Sequence, residues 1–137
     1  MPKEEKTADS KLKTDQQSPQ VSSPMSQLTV FDKAGMMARL MDDEDLARMV
    51  VEGFLEDIPR QITALKGYLE TGDAAGAELQ AHTIKGASAN VGGERLLEVA
   101  FEMEKSAKAG DLSAVVEHMV ELEAQFNLLN QAMTAEL

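Results

Sequence analysis

Three residue pairs cut the chain at nearly equal intervals: Gly72-Asp73, Gly92-Gly93 and Gly110-Asp111. From Glu44 onward, every stretch between them repeats apolar residues at three- and four-residue spacing, the period of a helix and not of a strand. Glycine suits the left-handed position just past a helix end. An aspartate after it can accept a hydrogen bond from the open backbone N–H groups of the next helix, so such a pair reads as a stop followed by a start. Only 4% of the residues are aromatic, and runs of Val, Ile, Thr and Tyr are missing, which leaves little to build a sheet. The expectation is an all-α chain: an antiparallel up-down four-helix bundle with a short extra N-terminal helix.

The segments follow from caps and stripes. Asp32 is an N-cap for a short helix over 33–41, with Phe31 and Met36 placed as a hydrophobic staple. Asp42 or Asp43 caps a long helix over 44–70, whose stripe is Leu46, Met49, Val50, Phe54, Ile58, Ile62, Leu65 and Leu69. Pro59 lies inside it and removes the hydrogen bond to the Leu55 carbonyl; because the stripe continues in phase, a kink is expected, not two helices. A third helix spans 74–90. A fourth spans 94–109, with Leu96, Leu97, Ala100, Met103 and Ala107 inward, and a fifth spans 112–134 on Val115, Met119, Leu122, Phe126, Leu129 and Met133. The nine methionines mostly keep helical phase and read as core filler. With these stripes buried no second apolar stripe remains, and a monomer is expected.

Residues 1–27, rich in Lys, Ser, Gln, Thr, Asp and Pro, cannot bury enough surface to fold and read as a disordered tail or linker, leaving 28–137 as the folded domain. That tail holds four lysines against four acids, so the nine remaining basic and twenty remaining acidic residues put the whole net charge of -11 on the domain. Such a balance argues against nucleic acid and against anionic membrane surfaces, both of which need Lys and Arg. There are no cysteines, which excludes disulfides and thiolate chemistry. No apolar run is long enough for a bilayer and no signal-peptide centre is present, so a cytoplasmic protein is expected.

One helix carries chemistry. At about 100° per residue, Ala77, Gln80, Ala81, Ile84, Ala87, Ser88 and Val91 fall on one small or apolar side. Leu79, His82, Gly86 and Ala89 fall on the other. The only strong nucleophile therefore points to solvent. Neutral imidazole can attack an activated phosphoryl group and form a phosphoramidate. Lys85, one turn on, can set its ammonium beside phosphoryl oxygens. Gly86 leaves open the ground above His82, although a mid-helix glycine costs about 0.5 to 1 kcal/mol relative to alanine. Glu78, one turn before, is a candidate to orient the ring. His118, beside Glu117 and Glu121, reads as a solvated side chain, and no H-E-x-x-H or similar ligand set supports a metal.

The string His82, Lys85, Gly86, Ala87, Ser88, Val91, Gly92 resembles the signature of histidine-containing phosphotransfer domains, H-x-x-K-G-(small)-(small)-x-x-(aliphatic)-G. The resemblance covers about residues 28–137. It implies that His82 accepts a phosphoryl group through Nε2 from the aspartyl phosphate of a response-regulator receiver domain and passes it to another receiver in a multistep phosphorelay. Lys85 would be the electrostatic helper, Gly86 the steric clearance, and Leu79 and Ala89 docking contacts. It also implies no cofactor of its own, with Mg²⁺ on the partner receiver, and a hybrid sensor histidine kinase as a further partner in cis or in trans. Gly93 departs from the pattern by replacing a bulkier residue, which is expected to fray the end of the histidine helix. No phosphate loop of the G-x-x-x-x-G-K kind is present, so the chain reads as a carrier and not a kinase. The alternatives are a receiver-binding adaptor that is never phosphorylated, and a metal or cofactor bundle.

Overall fold

The computed structural model describes residues 25–137. The tail expected over 1–27 lies, as far as residue 24, outside them; Met25–Gln27 form a single 3-10 turn. Five α-helices follow: α1 (Lys33–Arg39), α2 (Glu44–Glu70), α3 (Ala74–Val91), α4 (Glu94–Lys108) and α5 (Leu112–Glu136). No strand occurs among the described residues. The long helices α2 to α5 form the antiparallel bundle, each packed on its chain neighbour, with α2 closing the ring against α5. Helices α3 and α5 therefore stand diagonally across the core. Helix α1 packs on α2 and α3.

Four of the five helices start as their sequence dictates. The carboxylates of Asp32, Asp43, Asp73 and Asp111 accept from the backbone N–H of Gly35, Leu46, Gly76 and Ala114 at 2.9 to 3.1 Å, each cap contributing about 1 kcal/mol. The ends are as regular. Gly72, Gly92 and Gly110 sit at φ +70, +79 and +79, and behind each the chain closes with paired backbone bonds of the Schellman type, such as Gly92 N–H to Ala89 and Gly93 N–H to Ser88. The turn between α1 and α2 does the same with Met41 and Asp42, at φ 57 and 60.

The core is one cluster. Ile58 and Leu65 of α2, Ile84 and Val91 of α3, Leu96 and Met103 of α4, and Leu122 and Leu129 of α5 are all at most 2% exposed. Phe54 and Phe126 meet with ring centroids 6.3 Å apart. Ser88 of α3 is fully buried, its hydroxyl donating to the Ile84 carbonyl at 2.7 Å.

Several expectations shift. At the start of α2 the buried line runs through Ala47 and Val51, leaving Leu46 and Met49 40% and 67% exposed; side-chain size favoured the wrong pair, because the small Ala47 holds the inward phase. In α4, Val99 is buried where Leu97 is only half-buried. The expectation of one helix through Pro59 and not two does hold, with the Thr63 hydroxyl donating to the Pro59 carbonyl. The outer side of α5 exposes Val116, Val120 and Leu128, so the premise for a monomer, that no further apolar surface is left, does not hold.

The expected fraying at Gly93 is reversed. Gly93 is the N-cap of α4 without a side-chain bond, and a Cβ there would meet Leu129 Cδ2 at 2.7 Å. Asp32 N–H donates to the Gly92 carbonyl at 2.8 Å, and the Arg39 guanidinium donates to the carbonyls of Ala89 and Asn90. The end of α3 is therefore pinned by the segment before the bundle. A Cβ on Gly92 would meet the Asp32 carbonyl oxygen at 2.5 Å, whereas one on Gly110, at the same φ, meets nothing within 4 Å. Gly110→Ala should cost about 1 to 2 kcal/mol for the left-handed backbone alone, and Gly92→Ala roughly 1 to 3 kcal/mol more for the overlap, as read from denaturant unfolding of the two variants.

Candidate functional site

Helix α3 separates its two sides as its wheel dictates. Ala77, Ala81, Ile84, Ser88 and Val91 are buried; Leu79, His82, Gly86 and Ala89 are exposed, Leu79 by 67%. The His82 side chain is 60% exposed. Apart from its own helical backbone and chain neighbours, nothing lies within 4 Å of where a Gly86 Cβ would stand, so this glycine is not required by packing against other elements. What its lack of a side chain leaves open is the approach from outside.

The imidazole is held from the next helix. His82 lies ten residues before Gly92 and Glu104 eleven after Gly93; at about 1.5 Å per residue the tight turn brings both to one height on the α3–α4 seam. His82 Nδ1 is 2.8 Å from Glu104 Oε2, and Lys85 Nζ is 2.6 Å from Glu104 Oε1. No second donor among the described residues reaches that Oε1, which is buried. One carboxylate thus contacts both His82 and Lys85. Burial pushes the Glu104 carboxyl upward, but the bonds from Lys85 and His82 outweigh it and hold the group below the usual carboxylate range. Glu104 is therefore ionised at neutral pH and can only accept. Nδ1 must carry the proton, and the lone pair of a neutral ring is on Nε2, toward solvent.

Lys85 is further restrained by Phe101 of α4: its Nζ lies 5.2 Å from the ring centroid, and Lys105 Nζ lies 4.6 Å from the same ring. These contacts keep the Lys85 ammonium on the seam, with its side chain 26% exposed.

Glu78 does not orient the ring; the partner is Glu104, which sequence reasoning missed. A signal for it existed, since counting outward from the Gly92-Gly93 turn brings Glu102 and Glu104 level with His82, and Glu104 flanks the inward line through Ala100 and Met103. His118 is not a solvated side chain either. It is half-buried, and its Nδ1 donates to the Ala114 carbonyl at 2.8 Å. No group of three or more His, Cys, Asp or Glu residues is placed to hold a metal among the described residues. Two shallow grooves lie elsewhere, one lined by Lys33, Asp42, Arg48 and Glu136, the other by Pro59, Ile62, Lys66 and Phe126. No helix among the described residues is long and apolar enough to cross a membrane.

A four-helix bundle that presents one oriented, largely exposed imidazole beside a lysine has the arrangement of a phosphoryl-carrying helical domain. The chain belongs to the Hpt domain family, whose model matches residues 49–132. It is similar to histidine-containing phosphotransfer protein B (HptB) from Pseudomonas aeruginosa PAO1, with a TM-score of 0.73 and 25% identity over 78% of this chain and 93% of that one. No curated protein sequence gives a significant match. Domains of this family serve histidine phosphotransfer in phosphorelays and interact with the receiver domains and kinases of two-component systems.

The geometry makes the tautomer a test. In Glu104→Ala the ring loses its acceptor and should revert toward the Nε2–H form that imidazole side chains favour in water, a change read directly from ¹⁵N chemical shifts. Because the folded carboxyl lies below its ordinary value of 4.5, its stabilisation is complete above that value and is lost as the pH falls through the depressed one. The variant should lose about 1 kcal/mol at neutral pH, and the difference should shrink on acidification below pH 4.5.

Proposed function

We propose that His82 is the phosphoacceptor: it takes a phosphoryl group from the aspartyl phosphate of one receiver domain and passes it to another. The observation that carries this reading is the bond from Nδ1 to an ionised Glu104, which leaves the exposed Nε2 as the nucleophilic nitrogen. The Nε2 lone pair attacks phosphorus, the P–O bond to the aspartate breaks, and its electrons leave with the carboxylate. The Nδ1 proton stays in place. Positive charge developing on the ring faces the Glu104 carboxylate. Lys85, one turn from His82, offers its ammonium to the phosphoryl oxygens as charge moves onto them.

The chain's own residues supply orientation and charge, and the receiver supplies Mg²⁺ and its acidic site. Gly86 gives the clearance that the receiver needs above the ring. Leu79 and Ala89 are the docking contacts, and Met41, 88% exposed in the turn after α1, is a further exposed apolar side chain. Exposed apolar side chains of this size serve association better than solubility. A hybrid sensor kinase, in cis or in trans, is the upstream source of the phosphoryl group, in the cytoplasm.

The test is transfer from a phosphorylated receiver domain of the same organism, followed by intact mass before and after brief acid treatment. Wild type should gain one acid-labile phosphoryl group, and His82→Gln should gain none. Leu79→Glu should accept the group about tenfold more slowly, through the loss of about 1 to 2 kcal/mol of docking surface. Binding of the receiver with no gain of mass would instead make the domain an adaptor.

A further inference from the structure

The His82–Glu104 bond bears on the return of the phosphoryl group as much as on its arrival. When the P–Nε2 bond breaks, its electron pair stays on Nε2. If Nδ1 holds a proton, the leaving group is neutral imidazole with Nδ1–H; if Nδ1 is bare, the leaving group is an imidazolate anion, which departs far less readily. The state of a nitrogen that never touches phosphorus thus controls how long the phosphoryl group stays. In water an imidazole proton is lost with a pKa near 6.5, so an unassisted carrier would become sluggish through the physiological range.

Resting on the reading of His82 as the phosphoacceptor, we propose that Glu104 is a positioning residue that keeps Nδ1 protonated in phosphorylated His82 and so keeps the phosphoryl group transferable above the ordinary imidazole pKa. The carboxylate is 18% exposed, lies 2.8 Å from Nδ1 and can only accept. A bare Nδ1 would set a lone pair against a carboxylate oxygen. An amide at this position would impose no such preference, because it could turn and donate to the bare nitrogen.

The other charges around the ring do not reverse this. Lys85, on the same helix, opposes a ring proton, but its ammonium is engaged with Glu104 Oε1 at 2.6 Å. On α4, Lys105 lies over Phe101 and pairs with Glu102 at 3.1 Å, and Lys108 is exposed in the last turn. Glu78, half-buried one turn before His82 on α3, adds negative charge and works in the same direction as Glu104. Only Glu104 touches Nδ1. The group leaving Nε2 goes to an aspartate oxygen of the next receiver or, in the side reaction, to water.

The experiment loads the protein with phosphoramidate, a small donor that needs no receiver, and follows loss of phosphoryl from His82 by intact mass between pH 6 and pH 9. Wild type should decay at a nearly constant rate to about pH 8, whereas Glu104→Gln should slow as the ring deprotonates, becoming about tenfold longer-lived at pH 8. Superimposable profiles would overturn the proposal and leave His82 as the carrier. A second measurement needs no variant: the ¹⁵N shift of Nδ1 in phosphorylated wild type at pH 8 should be that of a protonated nitrogen, and a bare nitrogen there would sink the idea. If neither phosphoramidate nor a phosphorylated receiver loads His82, the carrier reading fails and the proposal falls with it.

Discussion

The tight reversal at Gly92-Gly93 is the constraint on which the site depends. Two long helices meet there with no spare residues, so height along one is tied to height along the other. The reversal tolerates no side chain: a Cβ on Gly92 would strike the Asp32 backbone and one on Gly93 would strike Leu129. The first contact ties the turn to the segment before the bundle and the second ties it to α5. A pair such as His82 and Glu104 needs tenths of an ångström to bond, and it lies some three helical turns from the reversal. Fixing the turn from both sides makes that pairing reproducible.

The fold was legible because its signals are local. Asp43, Asp73 and Asp111 cap their helices through bonds that span three residues, and the glycines at 72, 92 and 110 end them through bonds that span no more than five. Nothing distant is needed to read them. Errors arose where a side chain's size suggested one phase and its neighbours imposed another. Leu46 and Met49 look like core residues, but Ala47 and Val51 share the phase of Phe54 and Ile58, and the longer stripe wins.

The site divides along the same line. His82, Lys85 and Gly86 share one helix, so their arrangement follows from helical geometry alone. Glu104 comes from another helix, and Glu78 looked equally suitable as long as only α3 was considered. Choosing between them requires the register of α3 against α4, a tertiary quantity. The half-buried His118 was misread for a similar reason: its environment is set by the packing of α5, and acidic neighbours in sequence say little about which side of a helix a residue occupies.

On the proposal that His82 is the phosphoacceptor, the charges of the site call for two cationic groups. One carboxylate faces one ammonium and the imidazole Nδ1. A phosphoryl group on Nε2 brings a second anion within a ring's width of Glu104. Lys85 alone could not serve both, since an ammonium drawn toward the phosphoryl oxygens leaves Glu104 with a weaker partner. A ring that kept its Nδ1 proton, as proposed, would be the second cation and would lie between the two anions. Lys85 would then share itself with the phosphoryl group while the ring held Glu104. This cluster stands on a domain with a large excess of acid, where an added anion would otherwise be disfavoured, and the compensation at hand is local: one ammonium, one imidazole, one carboxylate and a backbone held still by the turn at Gly92.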